Sequence, residues 1–217
     1  MNTKSIENRY GKLANESCCL SCGGALDLST PVKNEICLDL GSGRGNDVIR
    51  LAEKVGPDGF VYGLDITENM IKKAERSAKK LGITNVKFLH SPLEKIPLPD
   101  KSVDLVISNC TINHVSDKVK VWSEIYRVLK NGGRFVISDI YSAEKVPEKY
   151  ASDPEAVAEC WAGAIQREEY ISILQICGFR EIEILEESDI YKKGRIQVAS
   201  FTVKGYKRKS CCACSNN

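Results

Sequence analysis

An apolar run that reaches an acid and then breaks into glycines is the feature that most constrains this chain. Residues 36–40 form the run, and Gly41, Gly43 and Gly45 follow at every second position. A helix-type spacing of apolar residues begins at Val48. This order is typical of a β-strand, a tight turn and a helix, the first unit of a nucleotide-type α/β fold. Glycines in such a turn let the backbone approach a bound group, because a Cβ atom would collide with it.

A second acid indicates which group binds. Residues 60–65 have the pattern of the next strand, and Asp65 stands at its C-terminal end. An acid about 20 residues beyond the glycines is placed to bind ribose hydroxyls, which NAD and S-adenosylmethionine both carry. The glycine spacing is G-x-G-x-G, whereas G-x-G-x-x-G fits a pyrophosphate to a helix N-terminus. The sequence therefore favours S-adenosylmethionine as the cofactor.

Length and charge narrow the classes of function. With 217 residues the chain is long enough for one sizeable core. Lysine and arginine total 31 against 29 for aspartate and glutamate, so the net charge of +2 gives no reason to expect nucleic acid as a partner. No run approaches the roughly 18 apolar residues that span a bilayer. We expect a soluble, cytoplasmic protein that binds neither nucleic acid nor membrane.

Ten cysteines are many for a chain of this size. Most of them form two groups, one near each end of the chain: Cys18, Cys19 and Cys22, then Cys211, Cys212 and Cys214. Where thiols stay reduced, such groups indicate soft-ion binding or redox chemistry rather than disulfides. Cys19 and Cys22 have the spacing of half a zinc site, but a structural zinc needs two further ligands. Cys37 and Cys177 lie within apolar segments and are interpreted as small core residues.

Strand and helix patterns alternate along most of the chain. After the second strand we predict a helix over 67–82, strands at 86–89 and 103–107, a helix over 117–130, a strand at 134–138, a polar loop over 141–154, a helix over 167–177 and strands near 179–185 and 196–203. The predicted fold class is α/β, a Rossmann-like, doubly wound and mostly parallel seven-stranded sheet with an antiparallel edge.

Three regions follow from this pattern. They are an N-terminal cysteine-containing segment (1–35), one α/β domain (36–206) and a cysteine-rich tail (207–217) that has no apolar pattern to dock it.

Ligands of doubly wound sheets lie at the C-terminal ends of the strands. The side chains that should face one crevice there are Asp39, Asp65, Asn109 and Asp139.

Residues 36–139 resemble the class I S-adenosylmethionine-dependent methyltransferases. Segment 39–45 is similar to their methionine-binding loop, Asp65 to their ribose acid, and segment 94–106 to their region near adenine. Three further stretches are similar to motifs of the arsenite methyltransferases: Arg9-Tyr10-Gly11, Ser108-Asn-Cys-Thr-Ile-Asn113 and Glu159-Cys-Trp-Ala-Gly-Ala164. The similarity covers most of positions 9–180.

The resemblance implies methyl transfer from S-adenosylmethionine to trivalent arsenic. Cys110 and Cys160 would be the catalytic arsenic ligands, with a third thiolate from Cys18, Cys19 or Cys22. Arsenic(III) is soft and prefers thiolates, and three sulfurs leave its lone pair free to attack the methyl group, so no general base is needed. The resemblance assigns the cofactor to Asp39, Gly41, Ser42, Gly43, Asp65, Ile66, Met70, Leu93, Glu94 and Asn109. It also implies arsenite or its thiol conjugate as substrate, and a thiol reductant such as thioredoxin or glutathione as partner.

Alternatives stay open. A methyltransferase of a small organic acceptor, such as a quinone precursor, would use His114 as a general base; otherwise His114 is interpreted as an incidental polar group at the rim. A thiol-rich metalloid-binding protein would keep the fold without the transfer. Asp39 can order the glycine turn through backbone N–H groups instead of contacting a ligand, and Met70 can be a core residue. Pro92 stands where many class I methyltransferases carry an acid.

Overall fold

The structure, a computed structural model of the chain, describes residues 3–13 and 23–208. The helices are α1 (Thr3–Leu13), α2 (Ala25–Leu28), α3 (Asn46–Val55), α4 (Glu68–Lys80), α5 (Lys118–Val128), α6 (Glu148–Ala151), α7 (Pro154–Ala158) and α8 (Arg167–Ile176). The strands are β1 (Ile36–Leu40), β2 (Phe60–Asp65), β3 (Val86–His90), β4 (Val103–Asn109), β5 (Leu129–Ser142), β6 (Phe179–Glu187), β7 (Tyr191–Lys193) and β8 (Ile196–Lys207). Two short 3₁₀ turns lie at Ile112–His114 and Trp161–Gly163.

The strands form one sheet in the order β3-β2-β1-β4-β5-β8-β6, with β7 paired to β8. Strands β1 to β5 run parallel, and β8 runs antiparallel to both of its neighbours in this order, β5 and β6. The predicted doubly wound sheet with an antiparallel edge is confirmed. Strand β7 was not predicted, because three mostly exposed residues carry too little apolar alternation to be recognised.

Apolar layers cover both faces of the sheet. On one face, Trp122 of α5 packs edge to face against Phe135 and Phe179, with ring centroids 4.8 and 5.6 Å from its own. On the other face, Leu51 of α3 belongs to a buried cluster with residues of β1, β4 and β5. Fully buried Cys37 is part of this second cluster, as predicted for a small core residue. The two layers fix the sheet, whose strand ends then carry the polar side chains of the site.

The packed fold extends beyond both predicted ends of the α/β domain. Ala25 and Leu26 of α2 are buried in the same cluster as β1. Lys207, predicted to start the unpacked tail, is instead the last residue of β8 and only 6 % exposed. Its Nζ donates to the carbonyl oxygens of Tyr126 (2.6 Å) and Leu129 (2.8 Å) at the end of α5. An ammonium group there satisfies carbonyls that a helix end leaves without intrahelical partners.

The remaining expectations concern the loop, the tail and the membrane. The predicted loop over 141–154 contains the end of β5 and helix α6. Cys177 is half-buried against the core. The tail cysteines Cys211, Cys212 and Cys214 lie outside the described residues. Within residues 3–13 and 23–208, the chain forms no helix long and apolar enough to cross a membrane.

Candidate active site

All three glycines of the turn between β1 and α3 adopt left-handed backbone angles, with φ of 71°, 51° and 78° at Gly41, Gly43 and Gly45. A Cβ atom at Gly41 would collide with the side chain of Thr111, and one at Gly45 would lie 2.9 Å from the ring of Phe88. Gly43 differs, since apart from its chain neighbours none of the described residues lies within 4 Å of the position its Cβ would take. Its backbone is open to a ligand in the cavity that it lines.

Asp65 joins this turn to the start of α4. Its Oδ2 accepts a hydrogen bond from the backbone N–H of Gly43 (2.9 Å), and its Oδ1 accepts one from that of Thr67 (2.8 Å). Burial raises the pKa of the carboxyl group, while these two backbone donors lower it. Each carboxylate oxygen has a second lone pair. Asp65 can therefore accept hydrogen bonds from a diol in the cavity while it still holds the turn.

One cavity lies at the C-terminal ends of β1, β2 and β4. Most residues that the sequence assigns to the cofactor line it: Gly41, Gly43, Asp65, Ile66, Met70, Leu93, Glu94 and Asn109. Asp39 and Ser42 do not. Asp39 is buried, and burial, reinforced by the charges of Asp47 and Asp65, raises its pKa. The Ser42 hydroxyl lies 2.9 Å from where a Cβ of Gly63 would stand, so it faces β2 rather than the cavity.

Helix α1 covers the cavity with two side chains that the sequence did not assign to the site, Ile6 and Tyr10. It packs against α4 and α7, and Arg9 forms an ion pair of 3.3 Å with Glu159. Sequence patterns did not predict this helix, because it is short and polar and has no sustained apolar spacing. The motif Arg9-Tyr10-Gly11 was the signal that could have found it.

The lining suits S-adenosylmethionine. Ile66, Met70 and Leu93 provide apolar surface for a flat base. Asp65 presents carboxylate oxygens that can accept from the hydroxyls of a ribose, and the open backbone of Gly43 leaves room for a chain that follows it. The cavity thus offers an apolar, an acidic and a backbone-lined region to the corresponding parts of this cofactor.

The two cysteines predicted to be catalytic lie next to each other beside this cavity. Cys110 follows β4 with φ 53°, and Cys160 precedes a 3₁₀ turn with φ 71°. Such angles are uncommon for residues that carry a side chain. The Sγ atom of Cys160 donates to the carbonyl oxygen of Cys110 at 3.0 Å, across 50 positions of sequence. Cys110 lines the cavity, and Cys160 is 5 % exposed.

His114 does not lie at the rim, contrary to the sequence-based interpretation. It is 6 % exposed, because a 3₁₀ turn directs it inward, and its Nε2 lies 2.9 Å from Sγ of Cys160 and 3.0 Å from the hydroxyl of Tyr10. Its Nδ1 lies 3.0 Å from the carbonyl oxygen of Val157, which can only accept, so Nδ1 carries the hydrogen. Burial lowers the pKa of His114 to about 4. The ring is thus a neutral acceptor facing a thiol and a phenol.

All three candidates for the predicted third thiolate, Cys18, Cys19 and Cys22, lie outside the described residues. Within the described ranges, no three His, Cys, Asp or Glu side chains form a metal-binding group. Gly23 packs so closely on Asn109 that a Cβ atom would collide with its Oδ1, and that Oδ1 also accepts from the N–H of Ala25 at 3.3 Å. The chain therefore re-enters the described fold beside the residue that precedes Cys110.

A doubly wound sheet with this glycine turn and strand-end acid defines a class I methyltransferase, and the profile of a methyltransferase-domain family matches residues 31–178. An arsenic (III) S-adenosylmethionine methyltransferase from Chlamydomonas reinhardtii has a similar structure, with a TM-score of 0.74 and 30 % identity over 95 % of this chain and 74 % of that chain. The chain belongs to the arsenite methyltransferase family.

Curated relatives agree with this assignment. The arsenite methyltransferase of Halobacterium salinarum is 38 % identical over 78 % of this chain, and that of Mus musculus is 42 % identical over 70 %. These matches cover 44 % and 43 % of the two relatives. The chain thus spans less than half of the length of either.

Proposed function

We propose that this chain transfers the methyl group of S-adenosylmethionine to trivalent arsenic held by Cys110, Cys160 and one N-terminal cysteine. The observation that carries the proposal is the contact of 3.0 Å between Sγ of Cys160 and the carbonyl oxygen of Cys110, next to a cavity with the features of a cofactor site. A thiol beside the backbone of a second cysteine that lines the cavity is compatible with the preference of a soft metalloid for sulfur. The family supports the same substrate.

The chain's own residues would act mainly by positioning. S-adenosylmethionine would supply an electrophilic methyl group on a sulfonium sulfur. Asp65 and the backbone of Gly43 hold the cofactor, while Cys110 and Cys160 hold the arsenic so that its lone pair faces the cavity. Orientation of two reactants in this way can supply a large part of a rate enhancement. Helix α1 contributes Ile6 and Tyr10 to the lining of the same cavity.

An organic acceptor is not favoured. It would need His114 as a general base, but Nδ1 of this ring is committed to the carbonyl oxygen of Val157 and Nε2 faces Cys160 and Tyr10. With its pKa lowered to about 4 by burial, the imidazole is also a weak base near neutral pH. The neutral His114 ring beside Cys160 is compatible with arsenic binding by that cysteine.

We further propose a reducing, cytoplasmic location, because the site needs its cysteines as thiolates. Arsenite or its thiol conjugate would be the substrate. A thiol such as glutathione or thioredoxin would keep the cysteines reduced.

Mass spectrometry of arsenic species after incubation with arsenite, a thiol and S-adenosylmethionine tests the proposal. The parent chain should form methylated arsenicals, and Cys110→Ser and Cys160→Ser should each abolish them, because serine keeps the size but not the soft sulfur. Cys177→Ser is the matched control and should retain the activity, since this half-buried thiol packs against the core rather than the cavity. Methylation at the parent rate by either of the first two variants would overturn the arsenic assignment.

A further inference from the structure

Helix α1 lies over the cofactor cavity, the cavity at the C-terminal ends of β1, β2 and β4, and its position depends on contacts with the rest of the fold. It has 11 mostly polar residues, and helices of that length are marginal on their own in water. Its ion pair joins Arg9 to Glu159, two side chains that are nearly half exposed, and such pairs contribute little to stability. The contacts of buried Ile6 and of Tyr10 therefore matter most for the position of the helix.

Tyr10 is attached to His114 by a hydrogen bond and by a ring contact. Its hydroxyl lies 3.0 Å from Nε2 of His114, and the two rings pack edge to face with centroids 5.4 Å apart. Nε2 is an acceptor, because Nδ1 carries the hydrogen that is donated to Val157. The Cys160 thiol also lies near Nε2, but it donates its single hydrogen to the carbonyl oxygen of Cys110. The hydroxyl of Tyr10 is therefore the donor to Nε2.

His114 is itself held in place before Tyr10 contacts it. The side chain is buried, and its Nδ1 donates to the carbonyl oxygen of Val157 at 3.0 Å. Its backbone N–H donates to the carbonyl oxygen of Thr111 at 3.1 Å, within the 3₁₀ turn that follows β4. The acceptor Nε2 thus has a fixed position, and a hydrogen bond away from bulk water is stronger than one at the surface.

We infer that His114 is a positioning residue: through Tyr10 it holds helix α1 against the cofactor cavity and thereby raises the affinity for S-adenosylmethionine. Ile6 and Tyr10 both line this cavity, so a cofactor within it would contact α1 as well as the strand ends. Cofactor binding and the position of the helix are then linked, and each stabilises the other. The inference rests on the proposed function only in its cofactor, and His114 transfers no proton in this role.

Substitutions of His114 separate this role from a merely structural one. Asparagine can keep a donor near the place of Nδ1, whereas glutamine can put an amide oxygen near the place of Nε2. His114→Asn should raise the dissociation constant of S-adenosylmethionine roughly three- to tenfold, because one neutral hydrogen bond is lost. His114→Gln should restore an affinity near that of the parent. Calorimetry on the full chain, without arsenite, measures both.

Tyr10→Phe tests the other partner of the hydrogen bond. The phenyl ring keeps the lining of the cavity but has no hydroxyl, so the affinity should fall as in His114→Asn. The double variant Tyr10→Phe/His114→Asn should bind no more weakly than either single variant, because the two changes remove the same contact. Glu7→Gln, at an exposed position of the same helix, is the matched control and should bind like the parent.

Hydrogen exchange, followed by mass spectrometry, reports on the helix itself. S-adenosylmethionine should slow the exchange of the backbone N–H groups of α1 in the parent, because bound cofactor favours the docked helix. His114→Asn should need a roughly three- to tenfold higher cofactor concentration for the same protection.

The inference is overturned if His114→Asn or Tyr10→Phe binds the cofactor like the parent, or if His114→Gln binds as weakly as His114→Asn. It is also overturned if the effects of the two single variants multiply in the double variant. A failure of the proposed function is a different result. In that case these affinities would keep their expected order, but the parent would form no methylated arsenical from arsenite.

Discussion

Sγ of Cys160 lies 3.0 Å from the carbonyl oxygen of Cys110, and both residues adopt positive φ angles, 71° and 53°. A left-handed backbone costs a residue with a side chain about 1–2 kcal/mol. Such strain persists where the surrounding fold holds it, here the end of β4 and the turn that follows α7. The two strained backbones therefore meet where the Cys160 thiol contacts the backbone of Cys110.

The third thiolate should come from Cys22 rather than from Cys18 or Cys19. Gly23 packs directly on Asn109, the residue before Cys110, and consecutive Cα atoms are about 3.8 Å apart. Cys22→Ser should therefore reduce arsenite methylation much more than Cys18→Ser or Cys19→Ser, as measured by arsenic speciation. Equal effects in all three variants would mean that the thiols substitute for one another.

Removal of the Asp65 carboxylate should weaken the binding of S-adenosylmethionine. Hydrogen bonds to charged groups contribute about 1.5–3 kcal/mol, so Asp65→Ala should raise the dissociation constant roughly ten- to a hundredfold in calorimetry. The variant should also melt at a lower temperature, because Gly43 and Thr67 lose their common acceptor. Glu68→Ala, which removes an exposed acid at the start of α4 that pairs with Lys72, is the control in which the affinity for S-adenosylmethionine should stay unchanged. Parent-like affinity in Asp65→Ala would remove this acid from the site.

Substitutions at two glycines that both have positive φ angles distinguish an effect on cofactor binding from an effect on stability. At both Gly43 (φ 51°) and Gly82 (φ 70°), no described residue apart from the adjacent ones in the chain lies within 4 Å of the position that a Cβ would take, but of the two only Gly43 lines the cavity. Alanine at either position should lower the free energy of unfolding by about 1 kcal/mol. Only Gly43→Ala should also lower the affinity for S-adenosylmethionine. Equal affinities of the two variants would contradict the assigned approach of the ligand to this turn.

Sequence patterns predicted the sheet and most of the residues that line the cofactor cavity. Where the predictions failed, there is a physical reason. The alternating βα units carry strong apolar periodicity, and the glycine turn and Asp65 belong to one local unit. Tyr10 and His114 are different, because their placement depends on contacts between distant segments. The pairing of His114 with Cys160 joins positions 46 apart and has no local sequence signal.

The error at Lys207 has a similar origin. A lysine at the start of a basic stretch has the composition of a tail, yet its side chain caps α5 through carbonyl groups that are 81 and 78 residues earlier in the chain. The assignment of Asp39 and Ser42 to the cofactor depends on motif position alone. The motif does not encode that Asp39 is buried or that the Ser42 hydroxyl faces β2.

Stability should depend on pH through Asp139. Burial raises the pKa of this carboxyl from 3.8 to about 6, against the opposing effects of the Ile140 N–H and the charges of Lys118 and Lys193. Between these two pH values the folded state binds more protons than the unfolded state, so this group's contribution to stability falls as pH rises through the window. Asp139→Asn keeps an oxygen for the N–H groups of Asn113 and Ile140.

The free energy of unfolding of Asp139→Asn minus that of the parent should therefore rise by up to about 3 kcal/mol as the pH increases through this window. Above the window the difference should stay constant. Urea unfolding at a series of pH values measures this difference. Asp189→Asn, at an exposed carboxylate, should follow the parent throughout. A relative stability of Asp139→Asn that does not change with pH would contradict the raised pKa.

The cysteine tail should be dispensable for methyl transfer only if the truncation spares Lys207. Strand β8 runs antiparallel to β5, and its C-terminal end lies beside Arg134, in the N-terminal half of β5, and beside Phe179, the first residue of β6. The tail thus leaves β8 on the side of the sheet opposite to the C-terminal strand ends, where Asp65 and Cys110 lie.

A chain that ends at Arg208 should keep the parent turnover number at saturating arsenite and the parent melting temperature. A chain that ends at Tyr206 should melt several degrees lower, because the last carbonyls of α5 lose a buried ammonium donor. Turnover and melting curves of the two truncated chains separate the role of Lys207 from that of the tail cysteines. Loss of turnover at an unchanged melting temperature in the chain that ends at Arg208 would show that Cys211, Cys212 or Cys214 takes part in the reaction.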